Sequence, residues 1–98
     1  MPRPPKPRQV GHVPGAVYFK PQGVPLAALG EEVIGLDELE ALRLADLLGL
    51  SQEEVGGRMG ISRATAGRIL ERARRAVAAA LVDGRAIRLE GGVTRRAS

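Results

Sequence analysis

Five arginines fall within thirteen residues of this chain: Arg63, Arg68, Arg72, Arg74 and Arg75. A guanidinium is planar and permanently charged. It grips a phosphate with a two-pronged fork and bonds guanine O6 and N7 together, which an ammonium cannot do. On a helix, Arg68, Arg72 and Arg75, spaced four and three, share one side, and Ala66, Ile69, Leu70, Ala73 and Val77 define the other. The chemistry to expect is recognition of a polyanion. Arg63 and Arg68, near the helix start, are expected to reach base edges, and Thr65 a phosphate or a thymine methyl. Arg72, Arg74 and Arg75 are expected on backbone phosphates. Ala64 and Gly67 lie beside the stripe and are small enough to let groove walls approach. Gly67 costs about 1 kcal/mol of helix propensity relative to alanine; the competing explanation is that it avoids a clash with the preceding helix. Glu71 has two readings, acceptor for a cytosine amine or ion-pair partner of Arg68 or Arg75.

Capping signals place the elements that must position these groups. Ser51 and Glu54 form a Ser-x-x-Glu box opening a short helix over about 52–59, and Gly60 supplies a tight left-handed turn. Ser62 caps a long helix over 63–83, stopped by Gly84 and about 30 Å in length. Val55, Gly56, Met59, Ile61, Ala66, Ile69 and Leu70 have the small/apolar spacing that a helix-turn-helix requires. An earlier helix is predicted over about 38–48, with Asp37 as N-cap and Ala41, Leu44, Ala45 and Leu48 as its buried stripe. Val17–Lys20 and Ala86–Glu90 read as short strands that could pair with each other. Tyr18 and Phe19, being adjacent, face opposite ways in a strand, with one of them expected in the core. The predicted fold is mainly α: a three-helix helix-turn-helix with a long third helix and short flanking β-strands.

Charge is unevenly distributed. All seven prolines lie within the first 25 residues, so 1–16 is expected to be a flexible, extended arm. It carries Arg3, Lys6 and Arg8 and no acid, and reads either as a solvated tail or as a basic arm lying along phosphates or in a minor groove. Residues 31–54 hold eight of the eleven acids and one base; residues 55–98 hold ten bases against Glu71, Asp83 and Glu90. Such bipolarity would orient the chain against a polyanion, although surface ion pairing also produces it. Residues 17–92 form the expected domain, and 93–98 a disordered tail.

Composition narrows the function classes. At 98 residues the chain has room for one domain, which would be marginally stable as a lone copy. The absence of cysteine removes disulfides, thiolate zinc sites and cysteine nucleophiles. The single histidine, His12, sits in a Pro/Gly-rich stretch and reads as an exposed loop residue. No catalytic constellation, cofactor or metal site is expected, and no apolar run reaches the ~18 residues of a membrane span. A cytoplasmic, nucleoid-associated protein is the expectation. The net charge of +4 suits a nucleic-acid binder.

Residues 36–81 resemble region 4 of sigma factors, which shares the Leu50-Ser51-x-Glu53-Glu54 and Gly60-Ile61-Ser62-Arg63-x-Thr65 patterns. A closer resemblance covers nearly the whole chain. It runs through Met1-Pro2-Arg3-Pro4, Tyr18-Phe19-Lys20-Pro21, Gly23-Val24-Pro25-Leu26, the Glu40–Asp46 and Gly49–Glu54 stretches, Arg58-Met59-Gly60, Gly67–Glu71 and Glu90-Gly91-Gly92. These are similar to an uncharacterised prokaryotic family of small predicted DNA-binding proteins. The resemblance implies the sigma-like helix-turn-helix. Some members of that family carry a further domain similar to dinitrogenase iron–molybdenum cofactor proteins, before which this chain ends. Members also commonly have N-terminal cysteines, whereas Arg8–His12 has none, so no metal or redox-sensing role carries over.

The expected function is a sequence-specific double-stranded DNA-binding transcriptional regulator with the 63–83 helix in the major groove. A homodimer is expected because Val77, Ala80 and Leu81 are apolar beyond the motif and need a cover. The chain's own flanking strands are the other source of one. The alternative function is a protein-interaction module that docks on RNA polymerase or another regulator through its acidic residues, Glu31, Glu38 and Glu53 among them.

Overall fold

The computed structural model describes residues 7–92 and 94–96. Among the described residues are three α-helices, a short 3-10 turn at Leu26–Ala28, a small three-stranded sheet and a separate strand pair. Helix α1 (Leu36–Leu42) runs on into one π-helical turn, Arg43–Leu47; α2 is Gln52–Met59 and α3 is Arg63–Asp83. Ala41, Leu44, Val55, Met59, Ala66 and Leu70 are buried together where the three helices meet. Among the described residues, no helix is long and apolar enough to cross a membrane.

Helix α1 begins two residues earlier than its sequence suggests, and Asp37 is not its cap. Gly35 takes the N-cap position, and its N–H is accepted by the Glu38 carboxylate at 2.8 Å. Asp37 lies buried, held between Gly35 and Gly92, either of which would collide with its carboxylate if it carried a Cβ. The far end of the helix also departs from expectation. The Leu48 N–H bonds to the Arg43 carbonyl, five residues back, and this wider turn rotates Leu48 out of the buried stripe, leaving it 52% exposed. Ala41 and Leu44, ahead of that turn, are buried as their spacing predicts.

The strands cover the other side of α3. β2 (Tyr18–Phe19) pairs antiparallel with β4 (Ala86–Leu89), Tyr18 opposite Arg88, which is the pairing their sequences suggest. A third strand, β3 (Glu31–Ile34), lies on the other edge of β4 and runs parallel to it. Neither aromatic enters the core: Tyr18 is half-buried beneath Arg88, and Phe19 is exposed. Ala80 is buried as the sheet packs on α3, so the chain itself covers part of the apolar face beyond the motif.

Both chain ends depart from the expected free segments. β1 (Arg8–Val10) pairs in parallel with β5 (Thr94–Arg96), so part of the arm and part of the tail are joined in a two-stranded sheet. Glu40 explains why the arm lies down. Buried in α1, it accepts from the Gly11 N–H at 2.7 Å and from Arg43 Nε and Nη2 at 2.8 and 2.9 Å. Burial pushes the Glu40 carboxyl up, but Arg43 and the Gly11 amide outweigh it and hold the group below its ordinary range. Val10, next to this anchor, is buried. Arg3 and Lys6 lie outside the described residues.

Candidate nucleic-acid interface

The α2–α3 pair is built as its sequence predicts. Ser51 and Glu54 cap α2 reciprocally, with Ser51 Oγ accepting from Glu54 N–H and Glu54 accepting from Ser51 N–H at 2.9 Å. Gly60 closes α2 in the left-handed region at φ 70° and ψ 33°. Gly56 is required where the turn folds back, because a Cβ there would stand 2.8 Å from the Ile61 carbonyl oxygen. Ser62 then caps α3, accepting from Thr65 N–H at 3.1 Å.

That cap organises the start of α3. The Ser62 hydroxyl also donates to Thr65 Oγ1 at 2.9 Å, and Arg68 Nη2 donates to the same oxygen at 3.3 Å. Arg68 is therefore held one turn from the helix start, its charge not neutralised by a carboxylate. Arg63, Arg68 and Arg72 are exposed and enter no ion pair among the described residues. Arg75 is exposed and, among the described residues, its ion-pair contact is with Glu71 at 3.8 Å, a loose one between two solvated side chains. Ala64 is exposed beside them.

Three residues expected at the nucleic-acid surface, Arg74 and Gly67 on α3 and Arg8 in the arm, are placed differently. Arg74 points toward α1, where its Nε and Nη2 donate to the two Asp46 carboxylate oxygens at 3.1 and 2.7 Å. The hydrogen bonds from Arg74 hold the Asp46 carboxyl below its ordinary range. A residue at position 74 lies a third of a turn off the Arg68–Arg72–Arg75 stripe, hence the different partner. Gly67 faces α2: a Cβ there would run into the Gln52 side chain, whose amide donates to the Arg63 carbonyl at 3.1 Å. Of its two readings, relief of a clash with the preceding helix is the one the packing bears out. Arg8 is largely buried, 3.9 Å from Asp37. It lines a groove of about 620 Å³ whose walls include Thr65, Arg68 and Arg72 on one side and Asp37, Glu38 and Glu90 on the other.

The acidic block is spent inside the molecule. Glu31 accepts from Tyr18 Oη at 2.6 Å and Arg88 at 2.9 Å, and Glu32 pairs with Arg85 at 3.1 Å. Asp37, Glu38, Glu40, Asp46 and Glu54 hold Arg8, the α1 cap, the Arg43–Gly11 anchor, Arg74 and the α2 cap. Glu53 alone of the eight has no such role among the described residues, and it is exposed. The opposite charges that look segregated along the chain are brought together by the fold. Among the described residues, no group of three or more His, Cys, Asp or Glu could hold a metal ion.

A family model described as a protein of unknown function, DUF134, matches residues 1–97. The chain belongs to this family. Bacterial relatives similar to this DUF134 chain include UPF0251 proteins of Desulfosudis oleivorans, 60% identical, and Moorella thermoacetica, 58% identical, each over 94% of this chain. Another, from Pelotomaculum thermopropionicum, is 52% identical over the same share. The chain spans 67%, 62% and 70% of the lengths of these three relatives, respectively. No solved structure matches the DUF134 chain.

Proposed function

We propose that this chain is a sequence-specific double-stranded DNA-binding transcriptional regulator. It uses α2 and α3 as a helix-turn-helix of the sigma region-4 kind and acts as a homodimer. One observation carries the reading: Arg68 and Arg72 on one side of α3, and Arg63 at its start, are left without ion pairs among the described residues, in a chain that pairs most of its other described arginines. A guanidinium open to solvent can fork onto a phosphate or a guanine edge, so Arg68 and Arg72 on one helix side, with Arg63 at the helix start, fit an external polyanion. Arg63 and Arg68 are assigned to base edges, with Ser62 and Thr65 at the phosphate beside the helix start. Arg72 and Arg75 are assigned to backbone phosphates. Ala64 leaves room for close approach. Arg74, Gly67 and Arg8 have structural roles in this reading.

Docking on RNA polymerase through an acidic face has less support, because seven of the eight acids in 31–54 are already engaged. Selection of bound duplexes from a random pool tests the proposal. Enrichment of a defined sequence, lost when Arg63 and Arg68 are replaced by alanine, is the expected outcome. A wild-type chain that enriches nothing at low salt would overturn it.

A further inference from the structure

Gln52, the first residue of α2, lies outside the arginine pattern but reaches the start of α3. Its side-chain amide donates to the Arg63 carbonyl at 3.1 Å and lies across Gly67, where a Cβ would collide with it. Ala64, three residues before Gly67 and so beside it on the helix surface, is exposed, and so is Gln52 itself. A primary amide has two N–H donors and a carbonyl oxygen that accepts. The bond to Arg63 is the one hydrogen bond of this side chain among the described residues. The other N–H and Oε1 remain available to a partner. Stability does not account for the arrangement, because the glycine weakens α3 by about as much as one exposed hydrogen bond strengthens the contact. What it achieves is to hold a long, flexible side chain in one place, ordered before any partner arrives.

We propose that Gln52 reads an adenine in the major groove, next to the base assigned to Arg63; this rests on the DNA reading above. An N–H and a carbonyl oxygen on one amide match adenine N7, which accepts, and the adenine N6 amine, which donates. No other base offers that pair on its major-groove edge. A phosphate fits less well. It has no use for the amide oxygen, and Glu53 and Glu54, in the same first turn of α2, repel it. Because the amide is tied to the Arg63 backbone, the adenine and the base read by Arg63 are neighbours in the site. Gly67 and Ala64 keep the space around the amide clear for a base edge. Specificity is then shared between the two helices, with guanidinium groups of α3 suited to guanine and the amide of α2 to adenine.

Parallel selections from a random duplex pool with wild type, Gln52→Ala and Gln52→Glu test this. Both variants should keep the helical circular dichroism of wild type, since the side chain is exposed. Wild type is expected to enrich a site with a fixed adenine. Gln52→Ala should keep the rest of that site, lose the adenine preference, and bind the wild-type site about tenfold more weakly. Gln52→Glu replaces the amide by an acceptor and should exchange the adenine for a cytosine, whose N4 amine donates. If Gln52→Ala changes no base preference and only lowers the affinity for all sequences alike, the proposal is overturned, and Gln52 is a brace between the helices. A Gln52→Ala selection indistinguishable from wild type overturns it as well. In both of those cases the DNA reading stands, whereas a wild-type chain that enriches no sequence sinks that reading and this assignment together.

Discussion

Arg63, Arg68 and Arg72 on α3 can be set beside Arg43, Arg74, Arg85 and Arg88, which face α1 or lie on the sheet. The second group meets Glu40, Asp46, Glu32 and Glu31 at 2.7–3.1 Å. The first group meets no carboxylate among the described residues. Both groups consist of the same residue in the same basic half of the chain or just before it. What separates them is where helical phase, position along α3 and strand pairing place each side chain. Position 74 turns toward Asp46, while Arg88 in β4 and Arg85 just before it stand beside the acids of β3. A count of charges therefore says little about which of them remain available to a partner.

The sharpest break between the groups should come at the buried end of the paired set. Glu40→Ala leaves Arg43 and the Gly11 amide without their acceptor and should cost about 3 kcal/mol of stability in urea unfolding. Duplex binding by the folded fraction should persist. Because the folded Glu40 pKa is below its ordinary 4.5, the stability it gives is complete above that pH. It fades as pH falls through the folded value, so wild type should lose more on acidification than Glu40→Gln. Equal acid sensitivity in the two proteins would mean that the anchor carries no weight.

Next in size is Arg68→Ala, expected to weaken the cognate duplex by about 1–3 kcal/mol and relax preference at one base position. Its unfolding midpoint should not move, because Arg68 holds only the Thr65 hydroxyl. A fall in stability with unchanged binding would move Arg68 into the structural group.

Gly67→Ala is the smallest expected effect and marks the boundary between the two groups. Helix propensity gains about 1 kcal/mol. Displacing Gln52 from the Arg63 carbonyl loses about as much. The net change in the urea midpoint should be within about 0.5 kcal/mol, and a loss above about 2 kcal/mol would show that Gln52 cannot move aside.

Where local chemistry decides structure, the sequence was readable. Ser51/Glu54, Gly60, Ser62 and Gly84 bound α2 and α3 within the residues their types imply, because caps and left-handed turns depend on a few neighbouring side chains. Strand β3 was hidden because Glu31 and Glu32 look like part of an acidic run. Their place in a strand depends on Arg85 and Arg88, more than fifty residues away. The buried Glu40 anchor was missed for a similar reason: its partner Gly11 lies in a segment that proline content marks as free. Within the candidate interface, helical spacing correctly separates Arg68, Arg72 and Arg75 from the core. It does not reveal that Arg74 has Asp46 waiting for it, since that depends on how α1 crosses α3.

The most direct test compares Arg72→Ala with Arg74→Ala in the salt dependence of binding to a selected duplex. If the unpaired side of α3 meets the phosphates, Arg72→Ala makes the log–log slope shallower by about 1 and Arg74→Ala leaves it unchanged. Equal changes in both variants, or none in either, would contradict the account.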